Sequence, residues 1–143
     1  MHGAEEYNYE RLPKYPHMRP ADEIIWNAYL DKNPADFIRC YYDVKVGEPE
    51  IPEIQIEEKL KQAWRDLTRW GIDVLAEDNR FFYVIEVKPN ANAKALGQAL
   101  AYAKIWEEKR RPNKIVVPVV LTDIINPITA KAAGFMGVEL WEP

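Results

Sequence analysis

Two acidic residues on neighbouring predicted strands are the part of this chain best suited to chemistry. Asp73 and Glu86 lie in two segments, 72–76 and 81–87, that are rich in β-branched and aromatic residues. The turn-forming pair Asp78-Asn79 separates the segments, so the sequence predicts a β-hairpin. A hairpin brings the two carboxylates together only if its register is right.

Three turns are compatible with this hairpin. A two-residue turn at 78–79 sets Asp73 diagonally across the same face from Glu86, and a two-residue turn at 79–80 sets the two acids directly opposite. A three-residue turn puts them on opposite faces, because side chains alternate along a strand. Two of the three registers therefore build a site.

Two carboxylates held this close imply a divalent cation. Like charges repel unless a cation lies between them, and Mg²⁺ takes oxygen ligands while it keeps several waters. Lys88 lies two residues after Glu86, on the same face, where its ammonium could stabilise negative charge on a phosphate. In isolation, an acid-x-lysine triplet indicates a solvated ion-pair face of a strand. The helix that follows favours the catalytic interpretation.

The segment 92–110 is rich in Ala, Leu, Lys and Glu and predicts an amphipathic helix. Gln98 and Tyr102 are four residues apart on this helix, so they share a face. There an amide and a phenol could bind a phosphate or orient Lys88. The apolar stripe beside that face consists of Ala95, Ala99, Ala103 and Trp106.

The order of these residues resembles the PD-(D/E)XK nuclease superfamily. The matching features are Asp73, then Glu86-Val87-Lys88, then a helix that carries Gln98-Ala99-Leu100-Ala101-Tyr102. The glutamine and tyrosine are typical of the RecB-like branch. The resemblance covers about residues 72–121. Ile72 replaces the proline that names the motif, and an extra predicted helix separates the first two core strands.

The resemblance implies a role for each matching residue. Asp73 and Glu86, with the backbone carbonyl of Val87, would bind Mg²⁺ or Mn²⁺. Lys88 would be the catalytic lysine. Gln98 and Tyr102 would support the site or contact phosphate. Many relatives also carry a glutamate on the first core helix, which makes Glu23 a candidate ligand; a solvated glutamate at a helix start is the alternative.

Charge and composition limit the other functions. The chain has 143 residues, 48% hydrophobic and 29% charged, as expected of one soluble globular domain. It has no long apolar run and no export-type start, so we expect a cytoplasmic protein that does not enter a membrane. Cys40 is the single cysteine, which excludes an intramolecular disulfide and a cysteine-based zinc or iron-sulfur site.

Basic residues near the predicted site could contact DNA. The net charge of −4 argues against broad nonspecific adhesion, but binding depends on local patches. Arg69, just before the Asp73 strand, and Lys94, at the start of the Gln98 helix, are the candidate contacts. A further basic group ends that helix, where a favourable interaction with the helix dipole is the preferred interpretation; it comprises Lys104, Lys109, Arg110, Arg111 and Lys114.

The whole pattern predicts an α/β fold with a central mixed β-sheet flanked by helices. Residues 1–20 form an extended N-terminal arm, rich in tyrosine and proline, and residues 21–143 form a single restriction-endonuclease-like domain. The predicted elements after the arm are helix 21–30, strand 37–46, helix 57–70, the hairpin, helix 92–110, strand 115–121, helix 127–133 stopped by Gly134, and strand 138–141. Gly71 is expected to end the helix 57–70.

The sequence favours a metal-dependent nuclease acting on DNA, and two alternatives stay open. One is a catalytically inactive protein of nuclease fold that binds nucleic acid or serves in assembly. The other is an α/β interaction domain in which the hairpin acids are solvated and the tyrosines of the arm form a homodimer boundary. Packing of these tyrosines across the protein's own core is the favoured interpretation of the arm.

Overall fold

The structure is a computed structural model that describes residues 5–47 and 70–143, together with Glu58. The described residues form six strands and three helices, which confirms the predicted α/β class. In chain order the elements are β1 (Glu6–Asn8), α1 (Pro20–Lys32), β2 (Arg39–Val46), β3 (Trp70–Glu77), β4 (Phe81–Val87), α2 (Ala93–Arg110), β5 (Ile115–Leu121), α3 (Pro127–Met136) and β6 (Glu139–Trp141).

One mixed sheet contains all six strands in chain order, β1-β2-β3-β4-β5-β6. The pairs β1–β2, β2–β3 and β3–β4 are antiparallel. The pairs β4–β5 and β5–β6 are parallel. The parallel pairs require crossover connections, and α2 and α3 supply them. The carboxyl end of β4 therefore lies beside the start of β3, where Asp73 is located.

Helices cover both faces of the sheet. Trp26 and Tyr29 of α1 pack on one face with the buried Cys40. Trp106 of α2 packs on the other face, against Val84. This gives three layers with the sheet in the middle. None of the described helices is both long and apolar enough to cross a bilayer.

The hairpin uses the 79–80 turn. The paired residues run from Val74 opposite Ile85 to Glu77 opposite Phe82. Asp78 shapes the turn, because its Oδ1 accepts hydrogen bonds from the backbone N–H groups of residues 80 and 81, at 2.8 and 2.7 Å. Continued by one step, this register sets the two acids at positions 73 and 86 directly opposite, as one of the three predicted turns requires.

Two predicted glycine roles were wrong. Gly71 does not end a helix, since it lies within β3 opposite Lys45. Gly134 does not stop α3, which continues to Met136 and ends at Gly137 in the left-handed conformation, φ 71°. Most of the predicted 57–70 helix lies outside the described residues. Glu58 is helical, and Trp70 begins β3.

The N-terminal arm packs on its own domain. β1 adds an antiparallel edge strand to β2, and Tyr15 is 1% exposed. The Tyr15 hydroxyl donates a hydrogen bond to Asn27 at 2.5 Å, and its ring lies 5.1 Å from that of Tyr42. These contacts confirm the interpretation of core packing for Tyr15, and they leave its ring no free face for a base.

Candidate active site

Asp73 and Glu86 form one pair of carboxyl groups. Asp73 Oδ2 accepts a hydrogen bond of 2.9 Å from the backbone N–H of Val87, which fixes its direction across the β3–β4 boundary. Glu86 lies on the same face of β4 as Val84, towards α2, and it is 8% exposed. The two side chains also share a hydrogen bond with each other. The structure thus brings together the two acids that the sequence paired.

The surroundings of the pair oppose ionisation. Burial, and then the charge of Asp73, raise the pKa of Glu86 well above its usual range. Burial also raises the pKa of Asp73, although the N–H of Val87 opposes that shift. One proton held between the two carboxyl groups reduces their repulsion. Burial and mutual repulsion of the two carboxyl groups therefore lower the stability of the free protein, and a bound cation would offset that loss.

One atom of this pair points to such a cation. Glu86 Oε1 is buried and has no hydrogen-bond partner. A buried oxygen without a partner is unusual in a folded protein, because its lost hydration is not replaced. Within the described residues no three His, Cys, Asp or Glu side chains form a ready metal-binding group. The donor set fits an ion such as Mg²⁺ that uses one or two carboxylates and retains its waters.

On α1 the structure points to an acid that the sequence did not single out, and Glu23 as a metal ligand stays a prediction. Asp22, not Glu23, interacts electrostatically with both carboxyl groups of the pair and raises their pKa values further. Glu23 instead acts on the hydroxyl of Tyr15 in the arm. Helical phase gives a usable signal: Asp22 precedes Ile25 by three residues and therefore lies near the centre of the buried face, whereas Glu23 lies at its edge.

Asp43 of β2 is a further acid that the sequence did not reveal. The register of β2 and β3 places it beside Asp73, whose pKa its charge also raises. Its backbone is left-handed, φ 51°, which is uncommon for a residue with a side chain and is tolerated best by Asn and Asp. Its carboxylate bonds to Lys45 Nζ at 2.7 Å and lies 3.3 Å from His17 Nε2. A left-handed residue within a strand leaves no alternation pattern for sequence analysis to detect.

The backbone at Asp43 changes which face the strand presents. Tyr42 belongs to the core cluster beneath α1, whereas Val44, two residues later, belongs to the cluster beneath α2. Regular alternation would put both on one face. In β3 the same change separates Val74 from Ile72. Asp43 and Asp73 thus lie where both strands depart from regular alternation, although the pairing register is the same on either side of them.

Gly71 leaves room for this arrangement, which makes it a test of the local packing. A Cβ at position 71 would lie 2.8 Å from Asp43 Oδ1, too close for both to stay in place. We expect Gly71→Ala to lower the free energy of unfolding by about 1 kcal/mol, because the carboxylate must move away from Lys45. Chemical denaturation measures this change.

The matched control is Gly97→Ala. A Cβ at Gly97, within α2, meets nothing within 4 Å. Alanine is the better helix former, so this variant should gain about 0.5–1 kcal/mol. A Gly71→Ala protein as stable as the unmodified protein would contradict the inference that Asp43 packs closely against β3 at this position.

Lys88 lies at the exposed end of β4. Its backbone N–H donates to the carbonyl of Leu121 at 3.0 Å, so the chain is still held to β5 at this point. Its ammonium interacts electrostatically with Asp22 and partly offsets the effect of burial on that carboxyl group's pKa. The lysine is therefore anchored at its backbone, and its exposed side chain carries a charge that acts on Asp22.

Tyr102 also belongs to the site. Burial, and then the charges of Glu86 and Asp73, raise the pKa of its phenol, so it stays a neutral hydrogen-bond donor. Its ring lies 5.6 Å from that of Trp70, which is 41% exposed. Gln98 is half-buried one turn earlier on α2. Sequence reasoning missed Trp70, because it assigned that residue to a helix.

The basic residues divide between two ends of the sheet. Lys94 is exposed at the first turn of α2. Asn92 caps this helix, because its Oδ1 accepts a hydrogen bond of 3.0 Å from the backbone N–H of Lys94. Arg69 lies outside the described residues. Lys114 precedes β5, and its ammonium bonds Glu77 Oε1 at 2.6 Å at the hairpin end of the sheet. The basic end of α2 is thus remote from the acid pair and does not extend its surface.

Comparisons of the chain with protein-family models, with curated proteins and with solved structures found no match. The resemblance to PD-(D/E)XK nucleases therefore depends on the residues of the chain itself.

Proposed function

We propose that this chain is a metal-dependent nuclease that hydrolyses phosphodiester bonds in DNA. The observation that carries the proposal is the buried pair of Asp73 and Glu86, with Glu86 Oε1 unpartnered and Lys88 two residues further along β4. A protein gains nothing in stability from an arrangement that opposes its own ionisation. Such perturbed pairs are common at functional sites.

Each residue has a distinct role in this proposal. Asp73, Glu86 and the carbonyl of Val87 would hold Mg²⁺ or Mn²⁺. The bound ion would supply Lewis-acid stabilisation of a phosphate and a nucleophilic water at neutral pH. Lys88 would place its ammonium against the phosphate oxygens, where negative charge increases in the transition state. The carboxylate of Asp22 would attract the ammonium of Lys88 and keep it near the site.

Groups around the pair suit a nucleic-acid chain. The Tyr102 phenol can donate a hydrogen bond to a phosphate oxygen, with Gln98 beside it. The exposed ring of Trp70 next to Tyr102 is a surface on which a base could stack. Lys94 could contact a phosphate further along the strand. DNA rather than RNA remains the proposed substrate on the strength of the family resemblance.

The direct test is DNA cleavage with and without divalent ions. Plasmid, linear duplex and single-stranded DNA are incubated with Mg²⁺, Mn²⁺ or EDTA, and Asp73→Asn is compared with Asp31→Asn. Asp31 is an exposed carboxylate that pairs with Arg11, remote from the acid pair in the fold, and so is a control for loss of one negative charge. We expect cleavage only with a divalent ion, and at least about tenfold less of it in Asp73→Asn than in Asp31→Asn.

Two outcomes would count against the proposal. Cleavage that persists in EDTA, or that is equal in the two variants, would place the activity elsewhere or in a contaminant. Binding of DNA without cleavage under every condition would favour the inactive nucleic-acid-binding or assembly module.

A further inference from the structure

A second concave site lies away from the acid pair, between the end of α1, the hairpin and β6. This cavity has a volume of about 560 Å³. None of its lining residues belongs to the candidate active site. They are four aromatic residues, three carboxylates and one amide: Tyr29, Phe37, Tyr83, Trp141, Asp36, Asp78, Glu142 and Asn33.

The aromatic rings of this cavity form one connected group. Trp141 stacks on Tyr29 with ring centroids 5.5 Å apart and planes within 9°. Phe37 is nearly parallel to both of these rings. Tyr83 is inclined to Trp141 by 55° at 5.4 Å, so it closes one side at an angle. Tyr29 and Phe37 are buried in the core, so the partly exposed rings of Tyr83 and Trp141 supply the aromatic surface that a ligand in this cavity would contact.

The rim of the cavity is negative. The Tyr29 hydroxyl donates to Asp36 Oδ2 at 2.6 Å, and the Tyr83 hydroxyl donates to Asp78 Oδ2 at 2.9 Å. Burial, and then these carboxylates, raise the pKa values of both phenols, so both remain neutral. Lys114 lies at one end of this rim, where its ammonium bonds Glu77 Oε1 at 2.6 Å and the carbonyl of Asp78 at 2.8 Å. Although burial opposes it, hydrogen bonds from the N–H groups of Arg80 and Phe81 lower the pKa of Asp78, so this carboxylate is ionised beside the rings.

We propose that this cavity binds an organic cation of the methylated-ammonium class. Aromatic faces attract such cations through the ring quadrupole, and the carboxylates add long-range attraction. A nucleotide or another anion would be repelled by the same carboxylates. A hard metal ion would need converging oxygen ligands, and the described residues contain no such group.

Hydrogen bonding distinguishes a methylated cation from a primary ammonium. A primary ammonium or a guanidinium needs several acceptors for its donors, whereas Asp78 already accepts three hydrogen bonds and Asp36 accepts one. A methylated ammonium has no such requirement and gains mainly from contact with ring faces. The proposal does not depend on nuclease activity.

The test compares choline with its neutral isostere 3,3-dimethyl-1-butanol on the full chain. The two molecules have the same shape, so the difference in their affinities measures the contribution of charge. Binding is followed by the NMR shift of the Trp141 indole N–H, assigned by its loss in Trp141→Phe. We expect choline to saturate the site and to bind about tenfold or more tightly than the isostere.

Variants locate the binding. Trp141→Leu and Asp36→Asn should each weaken choline binding, by about tenfold and severalfold, as followed by the shifts of neighbouring backbone amides. Phe135→Leu and Asp31→Asn are the matched controls, because Phe135 is exposed on α3 and Asp31, in the last turn of α1, does not line the cavity. If Trp141→Leu fails to fold, Asp36→Asn still tests the site, since amide and carboxylate have the same size.

Three results would overturn the proposal. Equal affinity for choline and the isostere would show an apolar cavity without cation selectivity. Choline binding that both variants leave unchanged would place it elsewhere. An absence of saturable shifts up to high choline concentration would show that the cavity does not bind this class of ligand.

Discussion

Replacing Lys88 with methionine should slow DNA cleavage by about 10²–10³-fold and leave the fold intact. The aliphatic part of the side chain is kept, and the residue is exposed at the end of β4, so no core contact is lost. What disappears is the positive charge, two residues after Glu86, that acts on Asp22. Removal of one group that stabilises charge in a transition state has effects of this size.

Single-turnover rates at saturating Mg²⁺ measure this effect separately from substrate binding. Lys94→Met is the matched control, since Lys94 is also exposed but lies on the first turn of α2. The Lys94→Met variant should weaken DNA binding modestly. Its single-turnover rate at saturating DNA should equal that of the unmodified protein. A Lys88→Met enzyme with an unchanged single-turnover rate would remove Lys88 from the chemistry.

The sequence identified the acid pair because strands have a simple rule. Alternation along β3 and β4 limits the outcome to a few registers, and two of the three considered bring Asp73 and Glu86 together. The choice among them depends on how the Asp78 side chain bonds the turn, where Oδ1 accepts two backbone N–H groups. Several turn types are compatible with the same turn residues. The sequence therefore limits the hairpin to a few registers, and contacts in the folded protein decide which one forms.

Other features of the site have no local signal. The left-handed backbone of Asp43 accompanies contacts of its carboxylate with Lys45, two residues away, and with His17 of the N-terminal arm. Gly71 was misread because a glycine that ends a helix and one that avoids a clash look alike in sequence. In both cases tertiary contacts override what local spacing predicts.

Asp22 could have been found. It lies on the buried face of α1, whose centre is identified by Ile25, Trp26 and Tyr29. An acidic residue at the centre of an apolar helical face is unusual, because its burial is unfavourable without a partner. A search for acids that violate the helical pattern, rather than for any acid near a helix start, would have preferred Asp22 to Glu23.

The buried pair of Asp73 and Glu86 should lower the stability of the protein in return for a site that can bind a cation. In the absence of a cation, Glu86→Gln should be more stable than the unmodified protein at pH 7–8, by about 1–3 kcal/mol. Burial and the charge of Asp73 raise the pKa of Glu86 in the folded state above its unfolded value. The folded protein then holds a proton that the unfolded chain releases, so stability falls as pH rises between the two pKa values. Glutamine removes that penalty, and its amide can still donate to Asp73.

Urea denaturation in EDTA at several pH values measures this difference. Near pH 4, below the unfolded pKa, the two proteins should differ little, and the gap should widen by up to about 1.4 kcal/mol per pH unit above it. Glu107→Gln on α2 is the control and should show no such widening. Equal pH dependence of Glu86→Gln and the unmodified protein would mean that Glu86 is not held protonated.

Adding Mn²⁺ should reverse the order of the two proteins. A cation that binds the folded state stabilises it in proportion to the logarithm of its concentration above Kd. The unmodified protein offers two carboxylates, including the unpartnered Glu86 Oε1, whereas Glu86→Gln replaces one of them with a neutral amide. Mn²⁺ should therefore raise the melting temperature of the unmodified protein and have little effect on the variant. Because the measurement uses no DNA, it tests the ion site separately from cleavage, and equal shifts in the two proteins would place the ion elsewhere.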